Sequence, residues 1–392
     1  MRWNWQQPDW PRFSWSRRRL AKAEEQFLLG GGALRGAVLH LDGDSRDRLA
    51  VESMSEEAVT SSEIEGEALN RESVQSSIRR QLGLATDARR ASPAEQGMAE
   101  MMVDLYRDSM APLDEETLCR WHAMLMQGQV ALRDVGRYRT HEEPMQVVSG
   151  KVHAPTVHFD APPSMQVPRE MEAFLEWFDR TGPAGADTLP SLTRAGIAHL
   201  YFESIHPFED GNGRLGRAVS EKALAQGLGG PTLTALAATI LRRRREYYDM
   251  LEAGNKRNEI SAWLAWFAGI TLEAQQRTRA RVELLIDQTT LLDRLRPRLN
   301  DRQIKVLLRM LREGPEGFEG GLSAGNYVSI ARTSHATARR DLADLVDKGA
   351  FTRTGERRHT RYHLTIPLQR VARVTIDDMG NVVATEPGQD SS

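Results

Sequence analysis

Cysteine is nearly absent from this 392-residue chain, where Cys119 stands alone. That excludes an internal disulfide framework and a cysteine-rich zinc site. Long apolar runs are missing as well. The best of them, residues 27–41, carries Arg35 and four glycines and is too short to span a bilayer. The N-terminus is polar and tryptophan-rich, with no apolar stretch of the signal-peptide kind, so a cytoplasmic protein without membrane attachment is expected. Excess charge of either sign is also lacking, since 52 Lys and Arg stand against 54 Asp and Glu. Any nucleic-acid contact must therefore come from a local patch. No internal repeat is found. What remains, with 40% hydrophobic and 27% charged residues, fits a globular protein and excludes collagen-like, low-complexity and wholly disordered chains. The length suggests two or three domains.

The patterning divides the chain into four segments. Residues 1–45 hold Trp3, Trp5, Trp10 and Trp15, with Pro8 and Pro11 between them. That spacing fits no helical stripe and predicts an irregular arm pinned by burial of its rings, or used as a homodimer contact. The stretch Gly30-Gly-Gly-Ala-Leu-Arg-Gly36 misses the spacing of a dinucleotide loop and reads as a turn. Residues 46–290 are helical in pattern: Leu118, Trp121, Leu125 and Leu132 recur at helical spacing, as do Met171, Phe174, Leu175 and Phe178. Pro93, Pro112, Pro168, Pro190 and the glycines of 182–185 punctuate these helices, and the arginines of 242–245 read as a solvated helix face. One exception interrupts them. Met145, Gln146, Val147 and Val148, then Ser149-Gly150, then Lys151, Val152, His153 and Ala154 read as two short strands around a two-residue turn.

Residues 297–366 form a further unit. Asp301 is expected to cap a helix carrying Ile304, Leu307, Leu308 and Leu311, ended by Gly314-Pro315. Short helices are predicted over 327–331 and 334–348, and strands over 351–354 and 360–364. A helix, a helix-turn-helix and a hairpin in that order make a winged helix-turn-helix. The tail, 375–392, is polar and reads as disordered.

The chemistry concentrates in His206-Pro-Phe-Glu-Asp-Gly-Asn-Gly-Arg-Leu-Gly-Arg217. Gly211, Asn212 and Gly213 open a helix, so backbone N–H groups face a concavity that favours anions. Arg214 and Arg217 lie three apart and share one helix face. Guanidiniums match phosphate oxygens bidentately, so the group describes a polyphosphate cradle. Asp210 offers a hard oxygen to Mg²⁺, which is held by one or two carboxylates plus substrate phosphates. His206 has the unperturbed pKa of a general base near neutrality.

This run resembles the HPFxDGNGRxxR signature of the Fic family and matches every fixed position. Gly136-Arg-Tyr-Arg139 resembles the segment before that family's flap, and residues 145–154 resemble the flap itself, so the resemblance covers about 45–290. It implies a mainly α chain: a Fic-fold helical core with a short β-hairpin flap, plus the C-terminal winged helix-turn-helix domain. It also implies transfer of AMP from ATP to a Ser, Thr or Tyr hydroxyl of a target protein, or of the protein itself, with release of pyrophosphate. His206 would take the hydroxyl proton, Asp210 would hold Mg²⁺, Gly211 to Gly213 would cradle the anion, and Arg214 and Arg217 would neutralise the β and γ phosphates. The flap would dock the target as an added strand.

Upstream, Thr60-Ser61-Ser62-Glu63-Ile64-Glu65-Gly66 reads by spacing alone as a helix ended by glycine. Beside a Fic motif, Ser61, Glu65 and Gly66 resemble the family's inhibitory [S/T]xxxE[G/N] motif, near the end of a helix at about 50–66. Glu65 would then pair with Arg217 and occupy the space of the ATP γ-phosphate. The same carboxylate could position a water, which keeps a bifunctional AMPylase/deAMPylase open.

A second reading rests on the C-terminal unit. Between residues 323 and 362 eight basic side chains stand against four acidic ones, an excess that fits a phosphate-contacting surface. Ser334, His335, Thr337, Arg339 and Arg340 fall where a recognition helix begins, and Arg357, Arg358 and Arg361 would line the wing. On that reading the chain is a nucleotide-sensing, DNA-binding transcription regulator.

Overall fold

The helical periodicity is realised along most of the chain. The computed structural model describes residues 2–85, 89–151, 154–232, 234–311, 320–366 and 371–385. A 3-10 turn, Asn4–Gln6, precedes α1 (Arg17–Leu39), α2 (Gly43–Ile64), α3 (Arg71–Gln81), α4 (Pro93–Arg107) and α5 (Glu115–Leu125). The hairpin β1 (Gln146–Lys151) and β2 (Ala154–Asp160) comes next, then α6 (Val167–Arg180), α7 (Ser191–Ile205), α8 (Asn212–Leu228), α9 (Leu236–Arg242), α10 (Arg244–Gly254) and α11 (Ser261–Leu295). The remainder is α12 (Asp301–Leu311), α13 (Ala324–Ala331), α14 (His335–Asp347), β3 (Phe351–Thr354), β4 (Arg361–Leu364), β5 (Arg373–Ile376) and β6 (Val382–Thr385). Each of the three strand pairs is an antiparallel hairpin. No helix among the described residues is long and apolar enough to cross a membrane.

The chain forms two compact units. The first comprises 1–36, 46–275 and 373–385, the second 37–45, 276–372 and 386–392. At the centre of the first lies α7, every residue of which is buried. A helix buried on every side belongs inside a core, and several polar groups of α7 find partners there. His199 Nδ1 lies 3.0 Å from Ser220 Oγ, and Nε2 lies 2.8 Å from the Tyr247 hydroxyl. Its ring stacks on Trp263, whose indole N–H donates to the Gly196 carbonyl at 2.8 Å.

The tryptophan arm is irregular only to about residue 16, and its rings are bound to its own unit. The Trp5 indole donates to the Asp160 carbonyl at 2.6 Å and that of Trp10 to Glu170 at 2.9 Å, while Trp10 meets Tyr201 edge-on. Most of the rest of residues 1–45, including the glycine stretch read as a turn, belongs to helices. Tertiary packing overrides propensity here: Leu20, Ala23, Phe27, Gly31 and Leu34 form a buried face. Leu228 fills the space that a side chain at Gly31 would need.

Four further expectations are corrected. The flap strands run longer than expected, because Ser149 and Gly150 pair with Thr156 and Pro155 inside the hairpin; the reversal falls between Lys151 and Ala154, and Val152 and His153 lie outside the described residues. Helix α5 ends at Leu125, so Leu132 is not on it. Of the arginines of 242–245, Arg242, Arg244 and Arg245 are exposed as a solvated face requires, but Arg243, at the junction of α9 and α10, turns inward to Glu246 at 2.7 Å. The tail is ordered at least to residue 385. Val374 and Ile376 alternate into the core, Arg373 reaches Glu246 at 2.9 Å, and Arg19 donates to the Asp377 carbonyl at 3.2 Å. Residues 386–392, like Gly314-Pro315, lie outside the described residues.

The second unit has its own core of Leu291, Leu295, Val306, Leu307, Met310, Tyr327, Leu342, Leu345 and Phe351. Asn300, rather than Asp301, caps α12: its side chain accepts from the Gln303 N–H and the Gln303 side chain accepts from its own N–H, both at 3.0 Å. This reciprocal pair satisfies two donors left over at the helix start. Asp341 ties the unit together by accepting from Tyr327 at 2.9 Å and pairing with Arg302 at 2.9 Å.

Burial pushes His199 down to about 3, with the positive charge of Arg217 adding to it. Its ordinary value near 6.5 in the unfolded chain means that the unfolded state binds more protons between the two values, so stability falls as pH drops through that window. About 2 kcal/mol is lost between pH 8 and pH 5 from this residue. Thermal unfolding followed across that range should show a steeper fall of Tm in the wild type than in His199→Gln.

Candidate functional site

The site forms where α7 ends and α8 begins. His206 terminates α7 in the left-handed region with φ 52°, and Gly211 precedes α8 with φ 79°. The loop between them is held from several sides. The Arg139 guanidinium donates from Nε to the His206 carbonyl at 2.8 Å and from Nη2 to the Pro162 carbonyl at 2.6 Å. Glu209 accepts the N–H groups of Arg133 and Asp134 at 2.7 and 2.9 Å. Phe208 is buried and stacks on His122 at 4.2 Å, whose Nδ1 accepts the Gly136 N–H at 2.9 Å. Asn212 is occupied with its own loop: its amide donates to the Phe208 carbonyl at 2.8 Å and accepts the Phe208 N–H at 3.0 Å. Its side chain therefore shapes the turn, and the cradle is left to the backbone N–H groups of the first turn of α8, which have no partner within the helix.

Against this turn lies the end of α2. The Gly66 N–H donates to the Glu63 carbonyl at 3.0 Å and the Glu67 N–H to the Ser62 carbonyl at 3.0 Å. That is the Schellman end of a helix, with Gly66 at φ 85° in the left-handed position where a Cβ is costly. The cap fixes where two carboxylates project. Glu65 Oε1 lies 2.8 Å from Arg217 Nη1, and Glu67 Oε2 lies 2.6 Å from Arg214 Nη1. Ser61 completes the hold on Arg217, accepting Nε at its hydroxyl (2.9 Å) and Nη2 at its carbonyl (2.8 Å). Arg217 and Arg214 are both buried. The Glu65 carboxylate also sits against Gly213, where any side chain would overlap it. It thus occupies the positive end of the α8 dipole, the position an anion favours. From α10, the Tyr248 hydroxyl donates to the Ile64 carbonyl at 3.0 Å and holds the same helix end.

His206 lies inward of these groups. Its Nδ1 is 3.8 Å from Glu203 Oε2, one turn earlier on α7. Burial pushes His206 down to about 4, with Arg139 adding to it, so the imidazole is neutral near pH 7 and able to accept a proton. Burial, then the charge of Glu65, pushes Glu203 up to about 8. Asp210 is the exposed carboxylate of the loop, with a side chain 56% accessible. Its Oδ1 accepts the Gly211 N–H at 2.5 Å and lies 3.7 Å from Arg214 Nη2.

The structure brings Ser61, Glu65, Gly66, His206, Asp210, Gly211, Asn212, Gly213, Arg214 and Arg217 into one site. The flap stands apart as a two-stranded hairpin with Val147 and Val148 exposed and Met145 packed near Trp3 and Phe159. In the second unit Arg339, Arg340 and Arg357 are exposed and Arg361 is half-buried; the Arg358 side chain lies outside the described part of the structure. Sequence reasoning missed Glu67, Glu203 and Tyr248, and quoted Arg139 only as part of a segment. A carboxylate one turn before His206 was the available signal for Glu203.

Comparison with known proteins places His206 to Arg217 within a known domain family. Residues 112–224 match the Fic/DOC family, and residues 3–84, which contain Ser61 to Gly66, match a domain of unknown function (DUF4172). A Fic family protein from Desulfovibrio desulfuricans G20 is similar at 22% identity and TM-score 0.53, over 92% of this chain and 99% of that one. A Fic domain containing signaling protein from Bacteroides thetaiotaomicron VPI-5482 is similar at 19% identity and TM-score 0.50, over 68% and 96%. At such identities these likenesses speak for the fold. The Fic family is one of nucleotide-binding, AMPylation-type transferases. The chain is a Fic domain protein, with its Fic/DOC domain at residues 112–224.

Proposed function

We propose that the protein is an autoinhibited protein adenylyltransferase that moves AMP from ATP to a hydroxyl of a target protein. The observation that carries this reading is the occupation of both arginines, Arg217 by Glu65 and Arg214 by Glu67, at the start of α8. A buried guanidinium stripped of its anion costs about 3–5 kcal/mol, so each arginine holds either a carboxylate or a phosphate. The α2 end and the ATP phosphates are then exclusive occupants of one cradle.

With the carboxylates withdrawn, Arg214 and Arg217 would take the β and γ phosphates, together with the first-turn N–H groups of α8. The target hydroxyl attacks the α-phosphorus, its proton passes to His206, and the bond to the pyrophosphate oxygen breaks. Nδ1 of His206 faces Glu203, which leaves Nε2 to accept that proton. Such chemistry is mostly positioning and charge neutralisation, which is what a loop clamped by Arg139, Glu209 and Asn212 supplies. Asp210 would hold Mg²⁺. No group of three or more metal-ligating side chains occurs among the described residues, and one exposed carboxylate beside a phosphate cradle fits an ion carried in by the nucleotide. When bound, Mg²⁺ would neutralise phosphate charge. The free edges of β1 and β2 offer ladder groups to an extended target segment.

In Glu65→Gly, label from α-labelled ATP should appear on protein at least about tenfold faster than in the wild type, a coupling of about 1.4 kcal/mol. The double variant Glu65→Gly/His206→Ala should show none. The single variant should also lose thermal stability without nucleotide and regain it with ATP; a variant no faster than wild type that still binds ATP removes the autoinhibition. Glu67→Gln should give a smaller rise, because it frees Arg214 while leaving Arg217 held.

A second reading, DNA binding by the C-terminal unit, is favoured by the order α12, α13, α14, β3, β4 and by the exposed Arg339 and Arg340. Together these support a winged helix-turn-helix whose recognition helix is α14. Retention of a duplex in a mobility shift at low salt should be lost on replacing Arg339 and Arg340 by alanine, and absence of any retention in the wild type would remove this reading.

A further inference from the structure

Between α2, α4 and α8 lies a cavity of about 40 Å³. One water needs only about 10–15 Å³ of such space. Its walls include Met54, Met102 and Leu105, and it reaches two carboxyl groups, the buried Glu57 on α2 and the half-buried Glu221 on α8. Both carboxyls accept hydrogen bonds. The Ala237 N–H donates to the two oxygens of Glu57 at 2.9 and 3.0 Å. The Thr234 hydroxyl donates to those of Glu221 at 2.9 and 2.8 Å, and Thr232 donates there as well. Acceptance alone is the pattern of carboxylates, yet two neighbouring carboxylates largely shielded from water need a cation or a proton between them. The guanidinium that Glu57 feels, Arg217, is already engaged by Glu65 and Ser61.

A second observation points to a ligand. Ser53, one turn before Glu57 on α2, is 6% exposed and lines the same cavity. Its hydroxyl has no hydrogen-bond partner among the described residues, which a buried polar group rarely tolerates. The pocket thus lacks positive charge and has an unused hydroxyl and apolar walls.

We propose that this cavity binds a small primary ammonium ion, its head between Glu57 and Glu221 with an N–H turned to Ser53 Oγ, and its alkyl part along Met54 and Met102. An ammonium head carries three donors and a full charge, which matches three acceptors and the missing cation. Burial, then the charge of Glu221, raises Glu57 well above the carboxylate range, and burial raises Glu221 to about 7, so without such an ion the pair retains a proton near neutrality. The site also has a mechanical consequence, which rests on the function proposed above. Glu57 lies two turns before Glu65 on α2, and Glu221 one turn after Arg217 on α8. An ion bridging them would clasp the two helices and keep Glu65 on Arg217.

The test is thermal unfolding of the full chain in n-propylammonium chloride, against equal concentrations of potassium chloride and tetramethylammonium chloride. A saturable rise in Tm of about 3 °C at ten times Kd is expected with n-propylammonium alone. Glu221→Gln should abolish it, and Ser53→Ala, which removes one unpartnered hydroxyl and should fold, should weaken Kd several-fold. An equal rise in potassium chloride would assign the site to a plain monovalent ion, and no saturable rise would leave the pair to a proton only; either overturns the proposal. Because unfolding needs no catalysis, its outcome is separate from that of the adenylyltransferase reading. If AMP transfer is present, n-propylammonium should slow the wild type and leave Glu65→Gly unaffected.

Discussion

The Arg217 guanidinium is the group on which the rest of the site depends. It is 2% exposed, it lies on the helix that opens the anion cradle, and a buried cation of this kind cannot be left without an anion. Ser61 and Glu65 meet that demand. On the proposed reading the bond is a competition: whatever supplies negative charge to Arg217 decides what α2 does. Phosphate oxygens satisfy a guanidinium bidentately, so on the proposed reading nucleotide and inhibitory helix differ in shape but not in the charge they offer.

The helix end is as specific as the charge pair. A carboxylate at the C-cap and another two residues on would scatter on a frayed helix. The Schellman turn at Gly66 locks both, and Tyr248 holds the Ile64 carbonyl from a different helix. Opposite them, Gly213 leaves the space that the Glu65 carboxylate fills. The same economy governs the loop. Arg139 binds the carbonyls of His206 and Pro162 together with Ser164, so one buried guanidinium joins His206 to the base of the flap.

The features legible in the sequence were those whose residues sit close together in it. His206 to Arg217 forms one loop and one helical turn, and its chemistry is contained in twelve consecutive residues. Ser61, Glu65 and Gly66 were legible because a helix end is a local event. Glu67 was not, since its pairing with Arg214 depends on a cap geometry and a partner far along the chain. Glycines at 30–36 argued against a helix, and close packing by Leu228 overrode them. The strand alternation of residues 373–376 and 382–385 around Asp377-Asp-Met-Gly380-Asn381 was present but masked by polarity. Its order comes from Glu246 and Arg19, neither of which announces such a role. The flap reversal was misplaced by two residues because Ser149-Gly150 is a stronger turn signal than the residues after it.

The position of Glu203 extends the reach of the Glu65 carboxylate. Burial is the first reason its carboxyl stays protonated near neutrality, and the charge of Glu65 is the second. Glu203 in turn lies 3.8 Å from His206 Nδ1. A neutral acid there gives the imidazole no electrostatic support, whereas a carboxylate would favour the imidazolium formed when His206 accepts a proton. The departure of Glu65 would thus do two things at once: vacate Arg217 for phosphate and remove one of the two influences that keep Glu203 neutral. On the proposed reading, inhibition is steric at the γ-phosphate and electrostatic at the base, and a single carboxylate exerts both.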